Sequence, residues 1–506
     1  MLMPEIALFS WPLVVLILFR TLSPAAAVAT AIIAGYLLLP GEPAINAPLL
    51  PTIDKDSMPA IAAMAMALIF AGTAGHASRA RSGPTATILP GWLPRTPVSH
   101  LLLAMLFIGS ILTVLTNGDR LVYGDTTLPA IQLYSGFSAI LTSLVMLLPF
   151  LLARKFLADD DGHRTLLRIL CLAGLLYSVL VLYEIRMSPQ LNRMVYGFFP
   201  HSWIQHIRGN GFRPLVFLHH GLWLAIFMAG TFLAALGMTR LSSGATRLRY
   251  LAAAGWLFAT LALSNSFGAL LIAICAGGLI LAFPVRIVLL SAAVIAAIML
   301  TYPVLRGADL VPVDRIASWV GEINEDRRRS FIYRIDNENI LLAKANERPL
   351  AGWGGWGRGR VYDENGRDLS TTDGLWVIVI GRSGWIGYLA QFGLLGLPLI
   401  LLAFRQRARG VGAPTAFLGL ILAANMVDLI PNATRTPVTW LIAGALMGRL
   451  ELSSSRAAAR SGDAAPTADP PIADAAPTAA GPEPRLSPQY SARYTRQKYL
   501  HERTDS

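Results

Sequence analysis

Residues 250–300 read YLAAAGWLFATLALSNSFGALLIAICAGGLILAFPVRIVLLSAAVIAAIML, and Arg286 is their only charge. The stretch divides into apolar runs at 250–264 and 267–283 and the start of another at 286–304, separated only by Ser264-Asn265-Ser266 and by the short FPVR connection. A spanning helix needs roughly 20 mostly apolar residues, so each run has the length and composition of a membrane crossing. Further runs of this kind lie at 4–19, 22–39, 58–75, 99–116, 129–152, 166–184, 214–237, 385–404, 414–430 and 437–450. The sequence therefore predicts an all-α, polytopic membrane bundle of 12–13 transmembrane helices, the lower number applying if the short first segment only half inserts.

Composition agrees with this reading. Of 506 residues 54% are apolar and 14% charged, with a mean hydropathy of +0.53, whereas soluble domains carry about 25% charge. Cys171 and Cys275 fall inside apolar runs, so neither a disulfide framework nor a CxxC metal site is expected. The opening MLMPEIALFS has an acid where a secretory signal would have a basic region, and no cleaved signal is expected. The net charge of +12 sits largely in short loops and does not suggest a nucleic-acid partner.

Basic residues in short loops set orientation. Alternate connections hold Arg20; Arg79 and Arg81; Arg154, Lys155, Arg164 and Arg168; Arg240, Arg247 and Arg249; Arg286; and Arg405, Arg407 and Arg409, which marks that side as cytoplasmic. The loops 40–57, 117–128 and 185–213, the segment 305–384 and the turn PNATRTP at 431–437 face outward. The membrane domain spans 1–452 with a large outward loop, 306–384, inserted in it; 453–506 has the Ala, Pro, Ser and Asp composition of a disordered cytoplasmic tail.

Two outward segments break the charge rule. Between Ile185 and Pro214 stand Arg186, Arg193, Arg208 and Arg213 with no acid, amid Tyr196, Phe198, Phe199 and Trp203. This combination suits either an interfacial belt with snorkelling arginines or an anion site. His219 and His220 follow within PLVFLHHG, as hydrogen-bonded core groups, as catalytic groups, or as groups that orient the substrate or a neighbouring span. The 306–384 loop has eleven arginines and one lysine against twelve acids, which points to a folded, salt-bridged subdomain. Within it RRRSFIYRIDNENILLAKANERPL predicts an amphipathic helix ending at Glu347-Arg348-Pro349. The following AGWGGWGRGR predicts an irregular turn in which Trp353 and Trp356 offer indole faces to a sugar, or a tight turn on the interface.

GFRPLVFLHHG, LSNSFGALLIAICAGGLIL, ERPLAGWGGWG and TTDGLWVIVIGRSGWIGYLAQFGLLGLPLILL, in this order and on one membrane side, resemble the O-antigen ligase and O-antigen polymerase superfamily over residues 100–450. Bacterial exopolysaccharide polymerases are the nearest resemblance, to which TNGDRLVYG before a span ending LLPFLLARKF adds. The resemblance implies a metal-independent, cofactor-free inverting glycosyltransferase on the periplasmic face of a bacterial inner membrane. Its donor would be an undecaprenyl-pyrophosphate-linked oligosaccharide, with an acceptor glycan, membrane lipid and other polysaccharide assembly and export proteins as partners. Arg213 matches the family arginine at the head of a span, and Arg334 is the best match for the arginines of the large loop. Ligases carry a histidine near the end of that loop, but no histidine occurs between Arg306 and Arg449, which favours a polymerase over a ligase.

Such a transfer draws its driving force from the donor bond, and the leaving pyrophosphate needs cations; Arg213, Arg334 and Arg382 are the candidates, with Arg208 as a further binding residue. Asp373 is the candidate general base, its alternative role being a helix N-cap, and Asp336, Glu338, Asp363 and Glu364 are unranked alternates. Asp428 sits near the outer end of an apolar span, as a functional group or as a partner of Arg435. A flippase or exporter is the competing class, but it should place polar residues near the bilayer midplane, whereas here they are concentrated in outward loops.

Overall fold

The computed structural model describes residues 3–45, 51–77, 87–208, 211–323, 325–404 and 411–462. The cations expected at 79, 81, 405, 407 and 409, and nearly all of the expected tail, lie outside these residues. In chain order the helices are α1 Met3–Thr21, α2 Pro24–Leu38, α3 Met58–Ala77, α4 Pro97–Thr116, α5 Leu133–Phe156, α6 Asp160–Met187, α7 Leu191–Tyr196, α8 Gly221–Arg240, α9 Gly244–Leu263, α10 Phe267–Ala282, α11 Val285–Gly307, α12 Val313–Ile323, α13 Glu325–Asn346, α14 Leu375–Phe404, α15 Ala413–Asp428 and α16 Pro437–Gly462. The described strands form two antiparallel hairpins: β1 Leu121–Tyr123 with β2 Thr126–Leu128, and β3 Ile207–Arg208 with β4 Gly211–Phe212. The chain divides near Arg460, and everything below concerns the unit before that point.

Each of the thirteen apolar segments falls on a helix. Seven of these, α1, α4, α5, α6, α8, α11 and α14, are long and apolar enough to cross a membrane, and α2, the start of α3, α10 and α15 are shorter apolar helices. The bundle is built around α8, whose apolar window is 83% enclosed, while that of α1 at the periphery is only 22% enclosed. Side chains left exposed on the outer helices, such as Leu101, Ile108 and Leu115 of α4 or Leu172, Leu176 and Val179 of α6, are apolar and recur at helical spacing. That is the surface a lipid solvent requires.

Helix starts follow their caps. Ser23 accepts from Ala26 N ahead of Pro24, Thr96 from Ser99 N ahead of Pro97, and Asp159 from Gly162 N. Close packing follows from small residues: a Cβ on Gly444 or Gly448 of α16 would lie 2.1 Å from the Phe150 carbonyl or 2.5 Å from the Arg154 carbonyl of α5. Two glycines one turn apart let these backbones touch.

The connections gather at two ends. At one, Arg154 of α5 pairs with Glu451 at 2.5 Å, Arg449 with Asp160 at 3.3 Å, and Arg240 donates to the carbonyls of Ile280 and Phe283. At the other, Lys55 reaches the Phe217 carbonyl, Arg213 reaches the α9–α10 turn, and the 350–374 segment lies against residues 113–128. These are the two sets of alternate loops that the arginine pattern separates.

Two helix starts differ from the sequence reading. The span expected from residue 214 becomes helical only at Gly221, because the buried Glu184 carboxylate accepts the amides of Leu191, Leu215 and Val216 and holds 214–220 in an irregular course with Val216 at φ +55°. The span expected from 385 begins at Leu375 and breaks at Gly384 (φ 63°, ψ −170°). The 349–354 segment satisfies the break: Trp385 and Ile386 amides donate to the Pro349 and Leu350 carbonyls, and Trp353 and Gly354 amides to those of Gly381 and Arg382. Backbone interrupted in an apolar bundle persists only where such partners exist.

Candidate active site

The large loop is the folded, ion-paired unit its charge balance implies. Asp119, in the α4–β1 connection, receives Arg348 and Arg358, both at 2.9 Å, while Arg360 pairs with Asp368 and Lys344 with Glu347. Arg348's hydrogen bond is the main cause that holds the Asp119 carboxyl below its ordinary value. The expected amphipathic helix is α13, and it stops where expected, before Glu347-Arg348-Pro349.

One row of α13 organises the centre of the site. Tyr333 hydroxyl meets Thr371 hydroxyl at 2.7 Å, and Asn337 Oδ1 accepts from Thr371 N at 2.7 Å. These bonds hold the chain just ahead of α14, and they put Asp373 Oδ2 3.5 Å from Arg334 Nε. One turn on, Glu338 Oε1 accepts from the Trp376 indole at 3.2 Å, and Trp376 stands edge-on to Tyr302 with ring centroids 5.2 Å apart. Arg334 and Glu338, four apart on α13, share a face, and the bonds of Tyr333 and Asn337 to Thr371 bring Asp373 and Trp376 against it. Glu338 is only 5% exposed and its Oε2 is buried without a hydrogen-bond partner. Burial raises its carboxyl to about 7, against the opposing pull of the Trp376 bond and the Arg306 and Arg334 charges.

Asp373 is not the cap of α14. Its carboxylate goes to Arg334, while the Leu375 amide donates to the Leu429 carbonyl at 3.0 Å. Asp428 is likewise not paired with Arg435: Asn432 and Thr434 donate to its two oxygens, at 2.9 and 2.5 Å, and shape the turn after α15. Arg435 donates to Gln391 Oε1 instead.

The other expected residues lie apart from this centre. Arg213, half-buried, donates from its backbone to the His206 carbonyl at 2.7 Å and from Nη2 to the Asn265 carbonyl at 3.3 Å. Near the same turn Arg327 of α13 lies 4.2 Å from the Phe267 ring centroid, and seven helical residues, about 10 Å of rise, separate Arg327 from Arg334. Arg208 takes its place in β3 opposite Gly211. His220 caps α8 by accepting Leu222 N, and its ring lies 4.7 Å from that of His201 and 5.0 Å from that of His206. His219 contacts Asp56 at 3.8 Å and the Trp223 ring. Burial, with Lys55 nearby, lowers His219 to about 4, so this contact joins a neutral imidazole to the acid and is not an ion pair near neutral pH.

The two tryptophans of the glycine-rich turn have different surroundings. Trp353 is 5% exposed, its indole bonds the Lys344 carbonyl at 2.8 Å, and Lys344 and Arg348 stand over its ring at 3.9 and 4.1 Å. It is a keystone of the loop, with its ring already covered. Trp356, 68% exposed at φ +60°, keeps an open indole. Arg382 lies on α14 two residues before the break and is exposed.

Sequence reading left Lys55, Glu184 and Asp119 unmarked. Lys55 is fully buried, donates to the Phe217 carbonyl at 2.6 Å, and so pins the segment that carries His219 and His220. The signal was the single lysine of PTIDKDSMP, set between Asp54 and Asp56 just ahead of α3. Among the described residues no group of three or more His, Cys, Asp and Glu is placed to hold a metal ion. No family model matches the sequence, and no curated protein or solved structure matches the chain at a significant level.

Proposed function

We propose that this chain is a polysaccharide polymerase acting at the periplasmic face of a bacterial inner membrane, transferring an undecaprenyl-pyrophosphate-linked glycan to an acceptor glycan. The observation that carries the reading is the knot of Arg334, Asp373, Glu338 and Trp376, a cation and two carboxyls of unlike exposure at the end of an apolar bundle. Asp373, 38% exposed, accepts the proton of the acceptor hydroxyl. The freed oxygen attacks the anomeric carbon, the carbon–oxygen bond to the pyrophosphate breaks, and the polyprenyl pyrophosphate leaves with the bonding pair. Arg334 holds Asp373 in place and faces the charge that develops on the leaving group; Arg213 grips the pyrophosphate further along the rim. Trp356 offers its face to a sugar ring. Concentration of this chemistry at one end favours transfer over carriage through the bundle.

Polymer length and lipid-linked intermediates, measured in cells at matched protein abundance, test the proposal. Asp373→Asn and Arg213→Ala should each lower polymer by about a hundredfold or more while lipid-linked repeat units accumulate. Arg213→Lys should fall clearly below wild type, because lysine keeps the charge and loses the two-pronged geometry. Normal polymer from Asp373→Asn and Arg213→Ala would falsify the proposal.

A further inference from the structure

The protein uses only one side of the amphipathic helix α12. At about 100° of turn per residue, Ala317 and Gly321 share a side, and that side lies on α13. Ala317 is buried, and a Cβ on Gly321 would lie 2.6 Å from Arg328 Cδ. Asp314, Arg315, Ser318 and Glu322 make a polar flank, and all four are exposed. Val313, Ile316 and Val320 make an apolar flank that is only half-buried. Trp319 borders this flank on the side away from α13 and is 73% exposed.

Both ends of α12 are tied to the apolar surface of the bundle. On α11 the exposed stripe Leu290, Val294, Ile298 and Val304 runs up to the end of the helix at Gly307. Leu310, three residues further on and 68% exposed, continues it, and five residues, 308–312, separate α11 from α12. At the other end α13 begins at Glu325, and Arg327 in its first turn lies 4.2 Å from the Phe267 ring centroid. Phe267 is the first residue of α10 and heads that helix's own exposed apolar stripe with Leu271 and Ile274. So α12, eleven residues and about 16 Å long, starts at the end of one apolar helix and finishes beside the end of another.

We propose that α12 is an interfacial helix whose partner is the phospholipid surface at the loop end of the bundle. Val313, Ile316, Trp319 and Val320, with Leu310 ahead of them, enter the boundary between headgroups and acyl chains, and the Asp314, Arg315, Ser318 and Glu322 flank stays in water. A half-covered apolar flank with a tryptophan at its edge fits that boundary, where an indole keeps its ring in the apolar layer and its N–H among polar groups. A soluble partner would have to seat itself on a flank that the stripes of α10 and α11 already continue into lipid. The inference needs only that the bundle sits in a bilayer, and it does not depend on glycan transfer. Its consequence is positional: α13, which carries Arg334 and Glu338, starts from a helix held at the lipid surface.

The test uses the purified full chain in nanodiscs of phosphatidylcholine, either ordinary or brominated in the upper part of its acyl chains. The emission of Trp319 is obtained as the difference between wild type and Trp319→Phe. Brominated lipid should remove roughly half or more of that emission, because an interfacial helix lies about 5–10 Å into the headgroup and acyl boundary, while iodide in the water should hardly touch it. Trypsin cleavage after Arg315, read by mass spectrometry in ordinary nanodiscs, gives a second measure. Trp319→Glu should lift the flank out of the lipid and speed this cleavage about tenfold, and Ser318→Glu, on the polar flank, should leave it at the wild-type rate. Trp319 emission that survives brominated lipid would assign the flank to water or to a soluble partner and overturn the proposal. Cleavage of Trp319→Glu no faster than that of Ser318→Glu would overturn it as well.

Discussion

At the scale of single residues, the site turns on how differently two carboxyls are housed. Asp373 shares its charge with Arg334 at the surface, whereas Glu338 is sealed behind Trp376 and raised to about 7 from an ordinary 4.5. An acid whose folded pKa is raised binds its proton more tightly in the native state, so native stability falls as pH climbs between about 4.5 and 7 and is flat below that window. Glu338→Gln removes the cost of ionisation and keeps an oxygen for the indole. At pH 8 it should be more stable than wild type, by on the order of 3 kcal/mol if the whole shift is expressed, and the difference should vanish near pH 4.5. Apparent Tm of the two proteins between pH 4.5 and 8 checks this; a difference independent of pH would place Glu338 in solvent. Glu338 was legible in sequence only as one of several acids, because four-residue spacing on α13 says which side chains are neighbours but not which of them Trp376 covers. Arg334 and Asp373 are 39 positions apart, and only the folded loop makes them a pair.

At the scale of elements, α14 and the glycine-rich turn are one device. The break at Gly384 exposes two carbonyls and two amides, and 349–354 bonds all four. A Cβ on Gly352, where φ is +68°, would lie 2.6 Å from Arg382 C, Ser383 N and Gly384 N. Gly352→Val should therefore cost about 3 kcal/mol, from the left-handed backbone of a β-branched residue and from backbone overlap, and should detach the turn from α14. Limited proteolysis reads the outcome as faster cleavage within 349–374, with Gly255→Ala, where a Cβ meets nothing within 4 Å, as the silent control. The sequence announced an irregular turn here, since the five glycines of AGWGGWGRGR favour no regular structure. It did not announce the break, because GRSGWIG differs from an unbroken apolar helix only in φ and ψ at one glycine. Nor could it show Trp353 covered by Lys344 and Arg348, since each lies on a different part of the loop.

At the scale of the whole molecule, hydropathy was sufficient for the bundle, and the arginine pattern was sufficient to sort the connections into two ends, because both are properties of composition and not of contact. Reporters inserted at Ser242, in the α8–α9 turn, and at Asn365, in the large loop, should therefore report opposite sides of the membrane; the same side from both would dissolve the site. What composition could not convey is that the membrane part and the loop complete one another. The carbonyls that cap the second half of α14 belong to Pro349 and Leu350, which leave the ribosome before Trp385 does. Biogenesis thus acquires an order. The loop must be folded by the time α14 is released sideways from the insertion machinery, or a helix with bare amides enters the bilayer. Folding of a hydrophilic segment becomes a precondition for lipid solubility of the hydrophobic segment that follows, and a chain whose turn cannot dock, such as Gly352→Val, should be caught as a late insertion intermediate before any question of catalysis arises.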